Sequence, residues 1–192
     1  MTEYSIPKLS TAAPSPKQPT VIVINIEDIA KTDNVITGFP TTDEGGILST
    51  SNIVLTAGKK GYGVYATPST INRPDSSDGD EDARGFTSTV EFDHPGDDLA
   101  FDEFIQKFIN SNVVIITLGC GGSGTRLHGT PCYPMTLTFE GTDSNEATRG
   151  HLTFTQSVRS PNKSMHYVGT IPALYDNATA ATPSEPEVEQ SA

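Results

Sequence analysis

Tryptophan is absent from the 192 residues, other aromatics are few, and cysteine occurs only at positions 120 and 132. Sugar platforms favour exposed aromatic rings, so the missing Trp speaks against a carbohydrate-binding surface. Two cysteines make no disulfide framework. Cys120 and Cys132 read as free thiols in a protein made in the cytosol, with pairing left open for an oxidising compartment. Positive charge is scarce as well: 12 Lys and Arg against 24 Asp and Glu leave a net charge of −12. Without a basic cluster, nucleic-acid binding of the usual kind is excluded, although an acidic wall can still meet DNA by repelling it. No apolar stretch approaches membrane-spanning length. The opening MTEYSIPKLSTAAPSPKQPT lacks the basic-then-apolar order of a secretory signal.

One stretch commits itself to a helix. In Asp97–Asn112, Phe101, Phe104, Ile105, Phe108 and Ile109 fall at i, i+3, i+4, i+7 and i+8, a single apolar stripe of a 3.6-residue period. Asp102, Glu103, Gln106, Lys107 and Asn110 take the other face. Asp97 or Asp98 can cap the first turn, and Lys107 lies towards the negative end of the dipole. The rest of the chain reads as strand or loop, so the expected fold is mainly β: an antiparallel sandwich or barrel with one amphipathic helix over about residues 98–111 packed on it.

Residues 1–19, with four prolines among Ser, Thr and Ala, read as an extended or mobile arm. A single domain is expected over 20–172. Its strands are read at Val21–Ile26, weakly at Ile47–Thr56 around Ile53–Leu55, and at Tyr62–Tyr65 after a turn at 58–63. A half-buried strand with Phe86, Val90 and Phe92 on one side follows. Val113–Leu118, the most apolar run, is expected at the centre, followed by Met135–Phe139, His151–Val158 and Met165–Ile171. Asn72–Gly85 reads as a polar loop of net charge −3 from five acids and two arginines. Residues 173–192, with four acids and no base, read as a disordered acidic tail.

The candidate motifs fail their own requirements. Gly119, Gly121 and Gly124 spell G-x-G-x-x-G after the best strand, but Gly129, Pro131 and Pro134 forbid the helix that must hold a pyrophosphate. Thr125 follows Gly124 without a Lys, so no phosphate-binding Walker loop results. Asp78, Asp80 and Asp82 alternate as in a calcium loop, yet Ala83 replaces the glycine and Thr89 the final Glu. Cys120, His128 and Cys132 lack a C-x-x-C pair to support zinc. His94, His151 and His166 are dispersed, and Ser123 forms no nucleophile elbow. No catalytic, cofactor or metal residue is assigned, and the expectation is a protein that is not an enzyme.

The order of elements is strands, acidic loop, the strand Gly85–Phe92, the helix Asp98–Asn110, the strand Val113–Leu118, then the strands Met135–Phe139 and Leu152–Val158. Over residues 20–172 that order resembles the tail tube proteins of tailed bacteriophages and the related tubes of contractile injection systems. The resemblance implies a structural virion protein, made in the host cytoplasm. Its copies would join edge to edge in hexameric rings that stack into a tube, with the helix outside the barrel. An acidic lumen would pass DNA without binding it, other tail proteins would be partners, and the 1–19 arm and 72–85 loop would reach adjacent rings. The glycine loop at 119–124 and the acidic tail depart from the pattern. Alternatives are a head–tail connector, a tail terminator, a decoration protein, or a carbohydrate-binding adhesin sandwich.

Overall fold

Two runs, Val21–Ile24 and Val113–Ile116, are apolar at every residue, which demands burial on both faces of a strand. A computed structural model describes residues 16–120 and 124–176, and it places these two runs side by side at the centre of a mainly β fold with a single α-helix. In chain order the elements are β1 (Lys17–Asn25), the short hairpin β2 (Lys31–Thr32) and β3 (Val35–Ile36), β4 (Tyr62–Tyr65), β5 (Asp75–Asp78), β6 (Gly85–Pro95), α1 (Leu99–Phe108), β7 (Val113–Gly119), β8 (Arg126–His128), β9 (Met135–Asp143), β10 (Thr148–Gln156) and β11 (Met165–His166). A 3-10 turn at Ile26–Asp28 follows β1. Asp33 and Asn34, both at positive φ, make the two-residue turn of the β2–β3 hairpin.

All strand pairs of the nine-stranded sheet are antiparallel, and their order closes on itself through the chain. β1 pairs with β7 and β4; β7 meets β9 at Val113–Met135; β9 pairs with β10 and β10 with β6. The chain leaving β4 then runs along the far side of β6, with Thr67 bonded to Asp93, Asn72 to Glu91, and β5 to residues 85–88. At one corner β4 leads to β5, and at the other β8 leads to β9. These bends carry the backbone pairing from one layer to the next, as in a small barrel.

Alternation along β1 and β7 separates two cores. Val21, Val23, Val113 and Ile115 face the barrel interior with Val90, Phe92, Leu137, Leu152 and Phe154. Ile22, Ile24, Val114 and Ile116 face the opposite way and are covered by Ile26, Ile29, Ile53, Leu127, Met165 and Tyr167. The second core explains why β1 and β7 carry no polar face.

The helix covers one end of the barrel instead of lying along its outside. Asp98 is the cap, its Oδ1 accepting the Phe101 N–H at 2.8 Å. Phe101, Ile105 and Phe108 are buried, while Phe104 is half-buried against Tyr62. Their partners are Tyr62 at the start of β4, His94 at the end of β6, and Phe139 and Gly150 on β9 and β10. A side chain at Gly150 would collide with both Phe101 and Phe139, so only glycine lets α1 sit this close. The stripe is one residue shorter than its period suggests: Ile109 is the C-cap and 39 % exposed.

Several expected boundaries move. β1 begins at Lys17, and Cys120 N–H bonds Pro16 C=O, so residues 16–19 belong to the sheet. Residues 173–175 flank β4 at Gly61, and Tyr175 packs on Tyr62 with ring centroids 4.7 Å apart, so the folded part passes Pro172. Ile47–Thr56 forms isolated bridges only, because its role is to lay Ile53 on the second core. The 72–85 loop contains β5, and the last strand shrinks to Met165–His166. Residues 1–15, 121–123 and 177–192, including most of the expected arm and tail, lie outside the described residues.

Candidate functional site

At the barrel end opposite α1 the core turns polar. Ser88 of β6, Thr117 of β7 and His128 of β8 all point inward and are buried. His128 Nδ1 lies 2.8 Å from Ser88 Oγ, and Nε2 lies 3.1 Å from Thr117 Oγ1. Arg73 donates to Thr117 Oγ1 and to the Gly124 carbonyl, each at 2.8 Å. Ser88 gives its one proton to the Asp75 carboxylate, so Nδ1 donates to Ser88, and the neutral ring's Nε2 accepts from Thr117. Ser88 in turn donates to Asp75, which also accepts from Ser164 Oγ at 2.6 Å. The result is a donor chain from guanidinium to carboxylate through a neutral imidazole.

Electrostatics agree with that polarity. Burial pushes His128 down to about 3, with Arg73 and Arg126 adding to the shift and Asp75 opposing it. Burial pushes the Asp75 carboxyl up, but the hydrogen bonds from Ser164 and Ser88 outweigh it and hold the group below its ordinary value. A serine and an imidazole at bonding distance resemble a nucleophile and its base. Here the second nitrogen meets a hydroxyl instead of a carboxylate and both side chains are buried, so the pair ties β6, β7 and β8 together. Beside it opens a cleft of about 530 Å³ among Phe39, Tyr133, Gln156, Ser160 and Lys163. Gln156 uses both ends of its amide, its Oε1 accepting the Ser88 N–H and its Nε2 donating to the Tyr133 carbonyl.

The motifs weighed in the sequence fare differently. Cys120 and Cys132 are exposed free thiols, whereas His128 between them is buried with both nitrogens occupied, so the three do not assemble. Gly124 precedes a strand, not a helix, and residues 121–123 lie outside the described set. Asp78 ends β5 and caps Gly79, and among the described residues no three His, Cys, Asp or Glu side chains converge for a metal. His94 stacks on Phe101 at 4.2 Å, and His166 lies exposed on β11. Sequence reasoning missed the Ser88–His128–Thr117 chain. Its only signal was a serine on the inward side of an alternating strand, between Phe86 and Val90.

The most regular surface is the outer face of β9, β10 and β6. Register places Glu140, His151 and Asp93 in one row, Thr138, Thr153 and Glu91 in the next, and Thr136, Thr155 and Thr89 in a third. His151 Nδ1 lies 2.6 Å from Asp93 Oδ1, with Arg149 3.6 Å from the other oxygen. The face is thus mostly hydroxyl and carboxylate, with His151 and Arg149 gathered at Asp93 and no large apolar side chain in these rows.

β5 is the last strand at one end of this sheet, and at the other β9 is joined to β7 through Met135 alone. Asn72 and Glu91 exchange both backbone bonds, which fixes the direction of every residue across the sheet, since N–H and C=O alternate sides. On β9 the groups of Leu137, Phe139 and Gly141 therefore point away from β10, and among the described residues no backbone pairs with them. On β5 the same holds for Asp75 and Ser77. Beyond Met135, which pairs with Val113 of β7, the β9 edge carries none of the prolines or lysines that usually guard an exposed edge.

No protein-family model, curated protein or solved structure matches this chain.

Proposed function

We propose that this chain is a structural virion protein whose copies form rings that stack as a tail tube, with an acidic lumen through which DNA passes without specific binding. The observation that carries this reading is the β9–β10–β6–β5 sheet: one face of hydroxyls and carboxylates, bounded by a long unguarded edge. An open edge of that length invites pairing with another chain, and in an assembling protein it becomes the joint. A surface of threonine, Glu91, Asp93 and Glu140 repels a polyphosphate, and the cation on this face, Arg149, stands beside Asp93, which suits passage.

Negative-stain microscopy of the concentrated protein tests the reading. Rings with a central hole, stacking into tubes, are the expected result. Rings that never stack would point instead to a connector, terminator or decoration protein. A monomer at every concentration overturns self-assembly altogether.

A further inference from the structure

We infer that the barrel end opposite α1 holds a small tetrahedral dianion, phosphate or sulfate, between the guanidinium groups of Arg73 and Arg126 and beside the ring of His166. The inference is independent of whether copies assemble, and it concerns the inner side of the sheet, away from the threonine face of β9, β10 and β6.

Register builds the recess. Thr117 of β7, Arg126 of β8 and His166 of β11 stand opposite one another across three antiparallel strands, so their side chains share a face. Thr117 is buried towards the barrel interior, whereas the neighbouring row of Ile116, Leu127 and Met165 faces the second core. Arg73 reaches the inner row from the extended segment before β5, two residues ahead of Asp75 and therefore on the same side of it. Its Nη1 donates to Thr117 Oγ1 and to the Gly124 carbonyl, while Arg126 Nη1 donates to the Ser164 carbonyl at 3.0 Å. Both arginines are half-buried and His166 is exposed, so the row opens to solvent at His166.

This recess lacks a counter-ion. Among the described residues no carboxylate pairs with either guanidinium, although the chain has 24 Asp and Glu for 12 Lys and Arg. Asp75 is the acid that Arg73 feels, and its carboxylate already accepts from Ser164 and Ser88. Burial, and after it Arg126, holds Arg73 below its ordinary value; burial, then Arg126 and Arg73, does the same for His166. Three basic groups thus share one region with a single carboxylate. Cations withdrawn from water are ordinarily paired, and two that repel each other leave a place for an anion.

Hydrogen bonding points the same way. Each guanidinium commits only Nη1 to the protein, which leaves the donors of Nη2 and Nε. Among the described residues no fully buried side-chain nitrogen is without a partner, so these unbonded nitrogens reach solvent. A tetrahedral oxyanion can accept a fork of N–H bonds from each arginine, and its two charges balance both, which one carboxylate cannot do.

Sulfate, doubly charged at every pH where the protein folds, is the probe. NMR of the dilute full-length protein at pH 7, titrated with sodium sulfate and with sodium chloride of equal ionic strength, follows the histidine rings. His166 is expected to shift saturably with sulfate in the millimolar range, while His94 against α1 and His151 on the outer face do not move. Arg126→Gln should weaken binding at least about tenfold, the loss expected for one charge-assisted pair. Arg149→Gln removes the same charge from the outer face and should leave binding unchanged. If His166 of the parent shows no saturable shift specific to sulfate, the site is overturned without any variant having to fold. Equal weakening by the two variants also overturns it, because the anion then answers to net charge alone. An equal response to sodium acetate overturns the assignment to a dianion.

Discussion

His128 is the residue whose burial has the clearest thermodynamic consequence. Its folded value of about 3 lies below the ordinary 6.5, so between those limits the unfolded chain binds a proton that the native state refuses. Stability from this group is complete above pH 6.5 and is lost as pH falls, with a slope of roughly 1.4 kcal/mol per pH unit. Asp75, held below its usual value, begins to lose its contribution only in more acidic solution. Urea unfolding of the dilute monomer should therefore show a loss of roughly 2 kcal/mol between pH 6.5 and pH 5. In His128→Gln, which keeps a donor and an acceptor but cannot be protonated, that loss should shrink to what the exposed groups contribute. A parent and variant with equal pH dependence would mean that the imidazole is not held neutral.

Among the elements, α1 illustrates how far a periodic pattern reaches. Phe108 is fully buried beneath Tyr62, with ring centroids 5.0 Å apart, whereas Phe104 touches the same ring from a half-buried position and Lys107 extends its ammonium over it at 4.6 Å. Phe108→Ala should cost about 3–5 kcal/mol, the range of large core truncations, and Phe104→Ala distinctly less. Equal melting of the two variants would contradict the burial difference. The helix, β1, β6, β7, β9 and β10 were legible because each carries enough residues for its period to show. The second core was not, since it is assembled from single side chains such as Ile29, Ile53 and Tyr167 in segments without regular pairing. β5 was illegible for the opposite reason: Asp-Ser-Ser-Asp has no strand character of its own and is extended only because β6 offers it a partner. The candidate assembly face was half visible in the alternating threonines of β9 and β10. Its rows depend on register across three strands, which no local pattern specifies.

At the scale of the whole molecule, assembly as proposed would have to bring together copies that each carry a charge of −12. Backbone pairing at an edge is short-ranged and hardly screened, whereas repulsion between acidic bodies acts over a Debye length of about 10 Å at 0.1 M salt and about 3 Å at 1 M. In the proposed assembly, raising the salt would therefore weaken the opposing force and leave edge pairing in place. The concentration at which rings appear, followed by sedimentation velocity, should fall as sodium chloride rises from 50 to 500 mM. Glu91→Gln with Glu140→Gln removes two carboxylates from the face that would converge on the axis, and this variant should assemble at lower salt than the parent. Assembly that weakens with salt would mean that copies are held by opposite charges instead of by backbone pairing at an open edge.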